Sequence, residues 1–201
     1  MQIKQLILGP MENNCYLIQG KNNKTLYIVD PACDAQKIIE CAEHNFSFEE
    51  TIILLTHAHA DHIGAVKALT DELNVVEVML DDNDIELYKS PYNAIMPVWP
   101  LQENLPATTD AHDTDDFKVI RTPGHTLGGV CYYIPEEKQL FSGDTLFYRS
   151  VGRTDLPGGS DVTLTASIRE RLYTLPGDVT VYPGHGCSTN IADEKKLNPY
   201  I

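Results

Sequence analysis

The apolar run TIILLT at 51–56 ends abruptly at His57 in this chain of 201 residues. A short, continuous apolar run rich in β-branched residues is typical of a strand covered on both faces. Three of the apolar runs behave in this way, because each passes directly into a polar cluster that contains histidine or aspartate. The pattern predicts a layered α/β protein with polar groups gathered at the ends of its strands.

Strands and helices are predicted to alternate in both halves of the chain. Asp34 is the expected N-cap of the first helix. Residues 90–116 hold four prolines and no clear period, which predicts a long surface connection, or alternatively a pocket wall carrying Tyr92 and Trp99. The predicted strands are 3–8, 15–19, 25–30, 51–56, 75–80, 117–121, 129–134, 138–142 and 179–182, and the predicted helices are 34–44, 62–73, 83–89 and 161–173.

The composition excludes several classes of partner. The chain has 15 Lys and Arg against 29 Asp and Glu, a formal net charge of −14, which argues against binding nucleic acid or an anionic membrane. Residues 71–116 carry 12 of the acids and a single base, and we expect them to form a solvated face. No stretch approaches the roughly 18 apolar residues that cross a bilayer, and no secretion signal is recognisable. Five scattered cysteines without a CxxC pair favour reduced thiols and a cytoplasmic location.

The cluster after the run at 51–56 brings four potential metal ligands into six residues. His57 and His59 are two apart, so on an extended chain their side chains point to the same side. Asp61 and His62 follow where the chain is expected to turn into a helix. Imidazole and carboxylate groups at this spacing can surround a metal ion at the end of a strand.

Three later clusters repeat the pattern of a donor after an apolar strand. They contain His125 in a glycine-rich turn, Asp144 after a glycine, and His185 between two glycines. Each cluster alone is equally consistent with an ordinary turn. Together with the first cluster, however, they place five of the seven histidines at strand ends beside glycines. His44 and His112 lack this setting, and we expect both to be solvated.

The set of motifs and its order resemble the metallo-β-lactamase superfamily over nearly the whole chain. The resemblance implies a four-layer αββα sandwich with a metal site at one edge of the two sheets. It also implies two divalent metal ions, with zinc expected first and iron or manganese as alternatives. Asp30, in the sequence Ile-Val-Asp-Pro, would support the site without binding metal. One metal would be held by His57, His59 and His125, the other by Asp61, His62 and His185, and Asp144 would bridge the two.

The aspartate at position 144, where the main zinc β-lactamases have a cysteine, favours the glyoxalase II-like branch of that superfamily. The segment 149–159 is most similar to the short, single-domain bacterial hydroxyacylglutathione hydrolase-like enzymes. Residues 1–201 are therefore expected to form one metallo-β-lactamase-fold domain. The longer enzymes of this branch carry a C-terminal helical domain that helps bind glutathione, whereas only 16 residues follow His185 here.

The resemblance also marks one candidate substrate-binding residue. Arg153 aligns with the lysine that contacts glutathione in the longer enzymes, and a guanidinium can still hold a substrate carboxylate. Asp155 and Cys187, however, stand where those enzymes have tyrosines. The metal chemistry therefore transfers more fully than the recognition of glutathione, and a solvated surface arginine is the alternative for Arg153.

The expected reaction is hydrolysis of a small-molecule thioester such as lactoylglutathione. Two cations bridged by Asp144 would lower the pKa of a shared water to about 7. The resulting bridging hydroxide would attack the carbonyl, and Asp61 would orient it. A thiol of pKa about 8.5 can leave as a thiolate without a strong general acid. Asp61 and Asp144 are accordingly the predicted catalytic residues.

Two other functions compete with this one. The segment 152–155 also resembles the persulfide dioxygenases, in which His57, His125 and Asp144 would hold a single ferrous ion. The sequence Gly-His-Gly around His185 favours the hydrolases over that family. A non-catalytic metal-binding module is the third possibility, and it would be expected to have lost a ligand. A nuclease of this superfamily is disfavoured by the negative charge.

Overall fold

The computed structural model describes residues 1–94 and 99–201. Its first sheet has five strands, which lie side by side in the order of the chain. The first three pair antiparallel and the last three pair parallel. They are β1 (Ile3–Leu8), β2 (Asn13–Gln19), β3 (Thr25–Val29), β4 (Glu50–Leu54) and β5 (Val75–Met79).

The second sheet also has five strands, and a two-stranded ribbon lies apart from it. The strands of the sheet are β6 (Lys118–Arg121), β7 (Val130–Ile134), β8 (Gln139–Gly143), β11 (Thr180–Pro183) and β12 (Thr189–Asn190). The two strands of the ribbon are β9 (Leu146–Phe147) and β10 (Ser150–Val151). The order across the sheet is β12-β11-β8-β7-β6, in which β8 and β11 are the parallel pair. Because β11 runs parallel to β8, both strands end at the same edge of the sheet.

Six short α-helices connect or flank these strands in the described residues. They are α1 (Ala35–Asn45), α2 (Ala60–Ile63), α3 (Val66–Glu72), α4 (Ile85–Tyr88), α5 (Asp161–Ser167) and α6 (Ile191–Leu197). A π-helical turn, Ile168–Leu172, continues α5, and single 3₁₀ turns occur at Asp82–Asp84 and Pro91–Asn93. Every one of the helices is too short or too polar to cross a membrane.

Three apolar layers hold the sheets and helices together. In β3, Leu26 and Ile28 face a core shared with α1 and α3, whereas Tyr27 and Val29 face the second sheet. This alternation buries both faces of one strand, as the sequence of the strand predicts. On the far side of the second sheet, Leu140 packs with α5, the π-helical turn and α6. The order helix, sheet, sheet, helix confirms the predicted four-layer αββα sandwich.

Two predicted helices differ from those observed. The predicted helix 62–73 is observed as two shorter helices, α2 and α3, and Gly64 between them lies so close to the carbonyl of Ala32 that a side chain there would overlap it. The predicted cap Asp34 precedes α1 as expected, but its backbone is left-handed (φ 53°) and its side chain makes no capping hydrogen bond. The three shortest strands, β9, β10 and β12, were not predicted, because two-residue strands carry no readable period. Helix α6 was not predicted either.

The predicted connection at 90–116 is more structured than a surface loop. Thr109 pairs with Met79 beside β5, and its backbone N–H donates to the carbonyl of Val78 at 2.9 Å. Trp99 is buried, whereas Tyr92 is exposed. Residues 95–98 of this connection lie outside the described residues. The segment therefore extends the edge of the first sheet and contributes an aromatic ring to its core.

The acidic segment is not the uniformly solvated face that its composition predicts. Asp81, Asp84 and Asp116 are each at most 5% exposed. Arg121 pairs with Asp81 at 2.7 Å, so part of the local negative charge is neutralised inside the fold. Of the five cysteines, all of them unpaired, only Cys187 is exposed.

The hydroxyl of Tyr132, in the second sheet, donates to the backbone carbonyl of Leu55, just after β4 of the first sheet, at 3.0 Å. Removing this hydroxyl tests how much the hydrogen bond between the sheets stabilises the fold. Tyr132 is fully buried. Tyr132→Phe leaves that carbonyl without this donor, and we expect the free energy of unfolding to fall by about 1–2 kcal/mol. Urea denaturation measures the change, and Tyr148→Phe, at an exposed ring, is the control expected to be neutral. Equal stability of the two variants would contradict this role.

Candidate metal centre

The ends of five strands meet at one edge of the sandwich, and each contributes a polar side chain. Asp30 follows β3, and the cluster of residues 57–62 follows β4. His125 lies in the turn between β6 and β7, Asp144 follows β8, and His185 follows β11. Residues far apart in the sequence are thereby brought within hydrogen-bonding distance of one another.

A first group of donors consists of three histidines. His57, His59 and His125 each direct a ring nitrogen to one point, and these atoms all lie within 4.8 Å of one another. His59 Nδ1 is 3.0 Å from His125 Nε2. All three rings are at most 3% exposed. Three converging imidazole nitrogens in a dry setting form an arrangement that can hold a divalent transition metal.

A second group combines one carboxylate with two imidazoles. Asp61 Oδ2 lies 3.6 Å from His62 Nε2 and 3.4 Å from His185 Nε2. These atoms also fall within 4.8 Å of one another. Helix α2 accounts for the neighbouring positions of Asp61 and His62, because both belong to its single turn.

Asp144 lies between the two groups and faces both. Its Oδ2 is 3.6 Å from His125 Nε2, and its Oδ1 is 3.4 Å from His62 Nε2. Oδ1 is also 3.7 Å from His185 Nε2. Each carboxylate oxygen of Asp144 is therefore directed at a different group, so Asp144 is placed where it could bridge two metal ions.

The outer ring nitrogens of the histidines fix which nitrogen faces the centre. His125 Nδ1 contacts the carbonyl of Arg153 at 2.7 Å, and His185 Nδ1 contacts the carbonyl of Met11 at 2.9 Å. Because a carbonyl accepts only, each Nδ1 carries a proton, and Nε2 is the nitrogen left to face the centre and to bind a metal. His62 Nδ1 faces the carboxylate of Asp30 at 3.0 Å, with the same result.

Asp30 supports these ligands from outside. Its Oδ1 accepts from the backbone N–H of Thr56 at 2.8 Å, and its Oδ2 accepts from the Thr56 hydroxyl at 2.6 Å and from His62. Thr56 Oγ1 in turn lies 3.0 Å from His57 Nδ1. Both oxygens of Asp30 are thus occupied by protein donors, which agrees with the expected supporting role.

The chemistry of the donors fits a pair of divalent cations. His57 Nε2, Asp61 Oδ1 and Asp144 Oδ1 are buried atoms without a hydrogen-bond partner. Burial and the neighbouring imidazoles lower the pKa of His57, and burial together with His125 lowers that of His59 to about 3. Both rings are therefore neutral at physiological pH, with lone pairs available for a metal.

The second group requires positive charge. Burial lowers the pKa of His62, but the carboxylates of Asp144, Asp61 and Asp30 raise it by more, so the net shift is strongly upward. A buried site with three carboxylates around one imidazole favours a cation at its centre. Asp144 and His185 are the most exposed of the candidate ligands, at 13% and 23% of their side chains, so solvent reaches the centre past them.

Two residues of the centre carry no signal in the sequence. The Asn13 side-chain amide donates to Asp61 Oδ2 at 2.8 Å, although Asn13 precedes the first ligand cluster, which begins at His57, by 44 residues. Asp84 accepts from the backbone N–H of Ala58 and of Gly128 and from the hydroxyl of Thr126. A single buried carboxylate thereby joins the loop carrying His57 and His59 to the loop carrying His125.

Arg153 lies beside the centre through its backbone. Its carbonyl orients His125, whereas its guanidinium is exposed and pairs with Asp155 at 2.7 and 2.8 Å. The neighbouring Arg149 is bound by the buried carboxylate of Glu194 in α6. His44 and His112 are exposed, as expected.

A family model described as the metallo-β-lactamase superfamily matches residues 8–185. The chain belongs to the metallo-β-lactamase superfamily. Hydroxyacylglutathione hydrolase GloC of Haemophilus influenzae is 32% identical over 100% of this chain and 98% of its own length. A probable metallo-hydrolase of Streptococcus pyogenes is 34% identical over 94% of this chain and 85% of its own length.

Three solved structures of similar proteins extend this finding. BLEG-1, a B3 metallo-β-lactamase, has a TM-score of 0.89 and is 36% identical, covering 99% of both chains. TTHA1623 in a di-iron-bound form has a TM-score of 0.89 at 35% identity, covering 98% of this chain and 100% of its own. ETHE1 from Myxococcus xanthus has a TM-score of 0.76 at 29% identity, covering 99% of this chain and 84% of its own. The superfamily binds divalent metals, and these neighbours include different metal-dependent proteins.

The network around Asp84 predicts an effect on metal affinity without any change of ligand. Asp84→Ala frees the loops of His59 and His125 from each other, and we expect the affinity for divalent metal to fall about 10–100-fold. Competition with a chromophoric chelator measures it. Asp116→Ala is the control, because Asp116 is also buried but contacts Lys21, at the other end of β3 from Asp30. Equal losses in both variants would refute a specific role for Asp84.

Proposed function

We propose that this superfamily member is a metal-dependent hydrolase of thioesters of the hydroxyacylglutathione type. The observation that supports it best is the position of Asp144, whose two oxygens face two separate groups of ligands. In this proposal His57, His59 and His125 hold one ion, Asp61, His62 and His185 hold the other, and Asp144 bridges them. Zinc is the first expectation, with iron or manganese as alternatives for the same donors.

The protein's own residues prepare the reaction. Two divalent ions, when bound, supply Lewis acidity that lowers the pKa of water and stabilises charge on a carbonyl oxygen. Asp61 Oδ1 is buried without a partner, so it can accept a hydrogen bond from the attacking water and orient it. The remaining oxygen of Asp61 is held by Asn13. Asp144 fixes the separation of the two groups.

The surroundings of the histidines support a thiolate as the leaving group. The outer nitrogens of His57, His62, His125 and His185 are bound by Thr56, Asp30 and two backbone carbonyls. None of these four imidazoles is free to donate a proton to a departing group. An amide nitrogen needs such a proton, whereas a thiolate of pKa about 8.5 leaves without one. A small-molecule thioester is therefore the substrate class that the site suits best.

A cytoplasmic location forms part of the same proposal. All five cysteines are unpaired, and burial raises the pKa of Cys15, Cys33 and Cys131. Unpaired, mostly shielded thiols are typical of proteins from a reducing compartment.

A persulfide dioxygenase with one ferrous ion is the second candidate, since the segment 152–155 resembles that family and ETHE1 is a structural neighbour. It needs only His57, His125 and Asp144. The convergence of Asp61, His62 and His185 on a second point favours the dinuclear hydrolase.

Substitution of His185 distinguishes the two candidate functions. His185→Ala removes a ligand of the second group only, and we expect thioester hydrolysis to fall by about 100-fold or more, because one cation no longer assists. His112→Ala, at an exposed histidine, should leave the rate unchanged. The assay uses lactoylglutathione, with oxygen uptake on glutathione persulfide measured in parallel. Oxygen uptake without thioester hydrolysis, unaffected by His185→Ala, would reject the hydrolase in favour of the dioxygenase.

Arg153 is the proposed anchor for a substrate carboxylate. Its bidentate pair with Asp155 lowers the pKa of that carboxyl to about 2, so Asp155 is ionised and competes with any substrate anion. We expect Arg153→Ala to raise KM for anionic thioesters about tenfold, the effect of roughly 1.4 kcal/mol, and to spare neutral ones. Asp155→Asn should lower KM for the anionic substrates. Equal changes for both classes of substrate would exclude the anchor.

A further inference from the structure

Asn13 occupies an unexpected position at the second group of ligands. Its side-chain Nδ2 lies 2.8 Å from Asp61 Oδ2, 3.2 Å from His185 Nε2 and 3.4 Å from His62 Nε2. Asn13 is 1% exposed. Three of the four donor residues assigned to one metal ion are thus within hydrogen-bonding distance of a single amide.

The contacts of this amide coincide with those that a cation requires. His62 and His185 donate through Nδ1, so Nε2 is the nitrogen of each ring that faces the amide nitrogen, and it carries a lone pair when the ring is neutral. A divalent cation coordinated by Asp61, His62 and His185 needs the same three lone pairs. The amide N–H groups and a coordinated cation therefore exclude one another at this point.

The other end of the amide lacks a partner. Asn13 Oδ1 is buried and accepts no hydrogen bond. Oxygen and nitrogen of an amide have nearly the same size, so a half-turn about Cβ–Cγ exchanges them without a change in packing. After that turn a carbonyl oxygen faces the three donors, and carbonyl oxygens are ligands for divalent cations.

Backbone contacts hold Asn13 beside the second group of ligands. Asn13 pairs with His185 in an antiparallel bridge, and the N–H of Asn14 donates to the carbonyl of Gly184 at 2.7 Å. The side chain of Asn14 also donates to the carbonyls of Pro183 and Gly186. The start of β2 is thus fastened to the loop that carries a ligand, and rotation of the amide is the movement left to Asn13.

We propose that Asn13 is an additional ligand of the second metal position, with Oδ1 turned toward the cation. The amide then has two settings: with nitrogen inward it holds Asp61 by a hydrogen bond, and with oxygen inward it completes the donor set of Asp61, His62 and His185. The inference rests on the proposed dinuclear centre and is independent of the substrate.

Stepwise metal binding tests this assignment without reference to activity. Metal-free protein is titrated with Zn²⁺ against a chromophoric chelator, and elemental analysis gives the number of ions bound. We expect Asn13→Leu to weaken the second ion about 10–100-fold while the first ion changes less than about twofold. Asn13→Asp, which keeps the shape and adds charge, should bind the second ion more tightly than the native protein.

Asn93→Leu is the matched control, because Asn93 is also fully buried and its amide bonds to the backbone of Tyr88 and Gln102. Binding of the second ion by Asn13→Leu as tightly as, or more tightly than, by the native protein would overturn the proposal, since the amide would then only compete. If the leucine variant does not fold, Asn13→Asp decides: tighter binding supports the proposal and unchanged or weaker binding overturns it. Native protein that binds one ion refutes the dinuclear centre itself, a separate outcome.

Discussion

The buried carboxylate of Asp30 makes the contacts on which the geometry of the candidate metal centre depends. Its two oxygens accept from the backbone and hydroxyl of Thr56 and from His62, within 3.0 Å in each case. Through Thr56 it also sets the ring of His57. One carboxylate thus orients a histidine in each ligand group. A carboxyl group that is 2% exposed is costly to bury unless its oxygens are matched by donors, and these three contacts supply them.

The candidate metal centre places several carboxylates close together in a buried part of the fold. Asp30, Asp61 and Asp144 surround His62, and their combined effect raises its pKa despite complete burial. Like charges this close destabilise a fold unless a cation lies among them. Binding of divalent metal is therefore expected to stabilise the folded chain as well as to activate it, because the ligand cluster exists only when the strand ends are assembled. The free energy of unfolding and the affinity for metal are therefore expected to change together.

The sequence predicts the candidate ligands of this centre, with His125, Asp144 and His185 assigned through the family resemblance, but it misses two residues that support them. His57, His59, Asp61 and His62 are recognisable because one strand and one helical turn present them together. The α/β layering was predictable from the alternation of strands and helices along the chain, and the resemblance implied the four layers, in which β3 packs against two apolar cores. Asn13 and Asp84 were not predictable, since an isolated polar residue at the end of a strand or in a 3₁₀ turn has no pattern until the tertiary contacts exist. Composition failed for the same reason, because the acidic segment supplies internal partners for backbone N–H groups as well as a solvated surface.

The distribution of charge and exposure also determines how a substrate can approach. The buried carboxylate of Asp84 binds the loops that carry His59 and His125. The open side of the centre is the one at Asp144 and His185, since these two side chains are the most exposed of the candidate ligands. The net charge of −14 is therefore a poor guide to the substrate, because much of it belongs to residues 71–116, and Asp81 and Asp84 of that segment are already engaged by protein donors. An anion that reaches the open side is attracted by the cations that the ligand groups would hold, and this local field outweighs the more distant, screened acids.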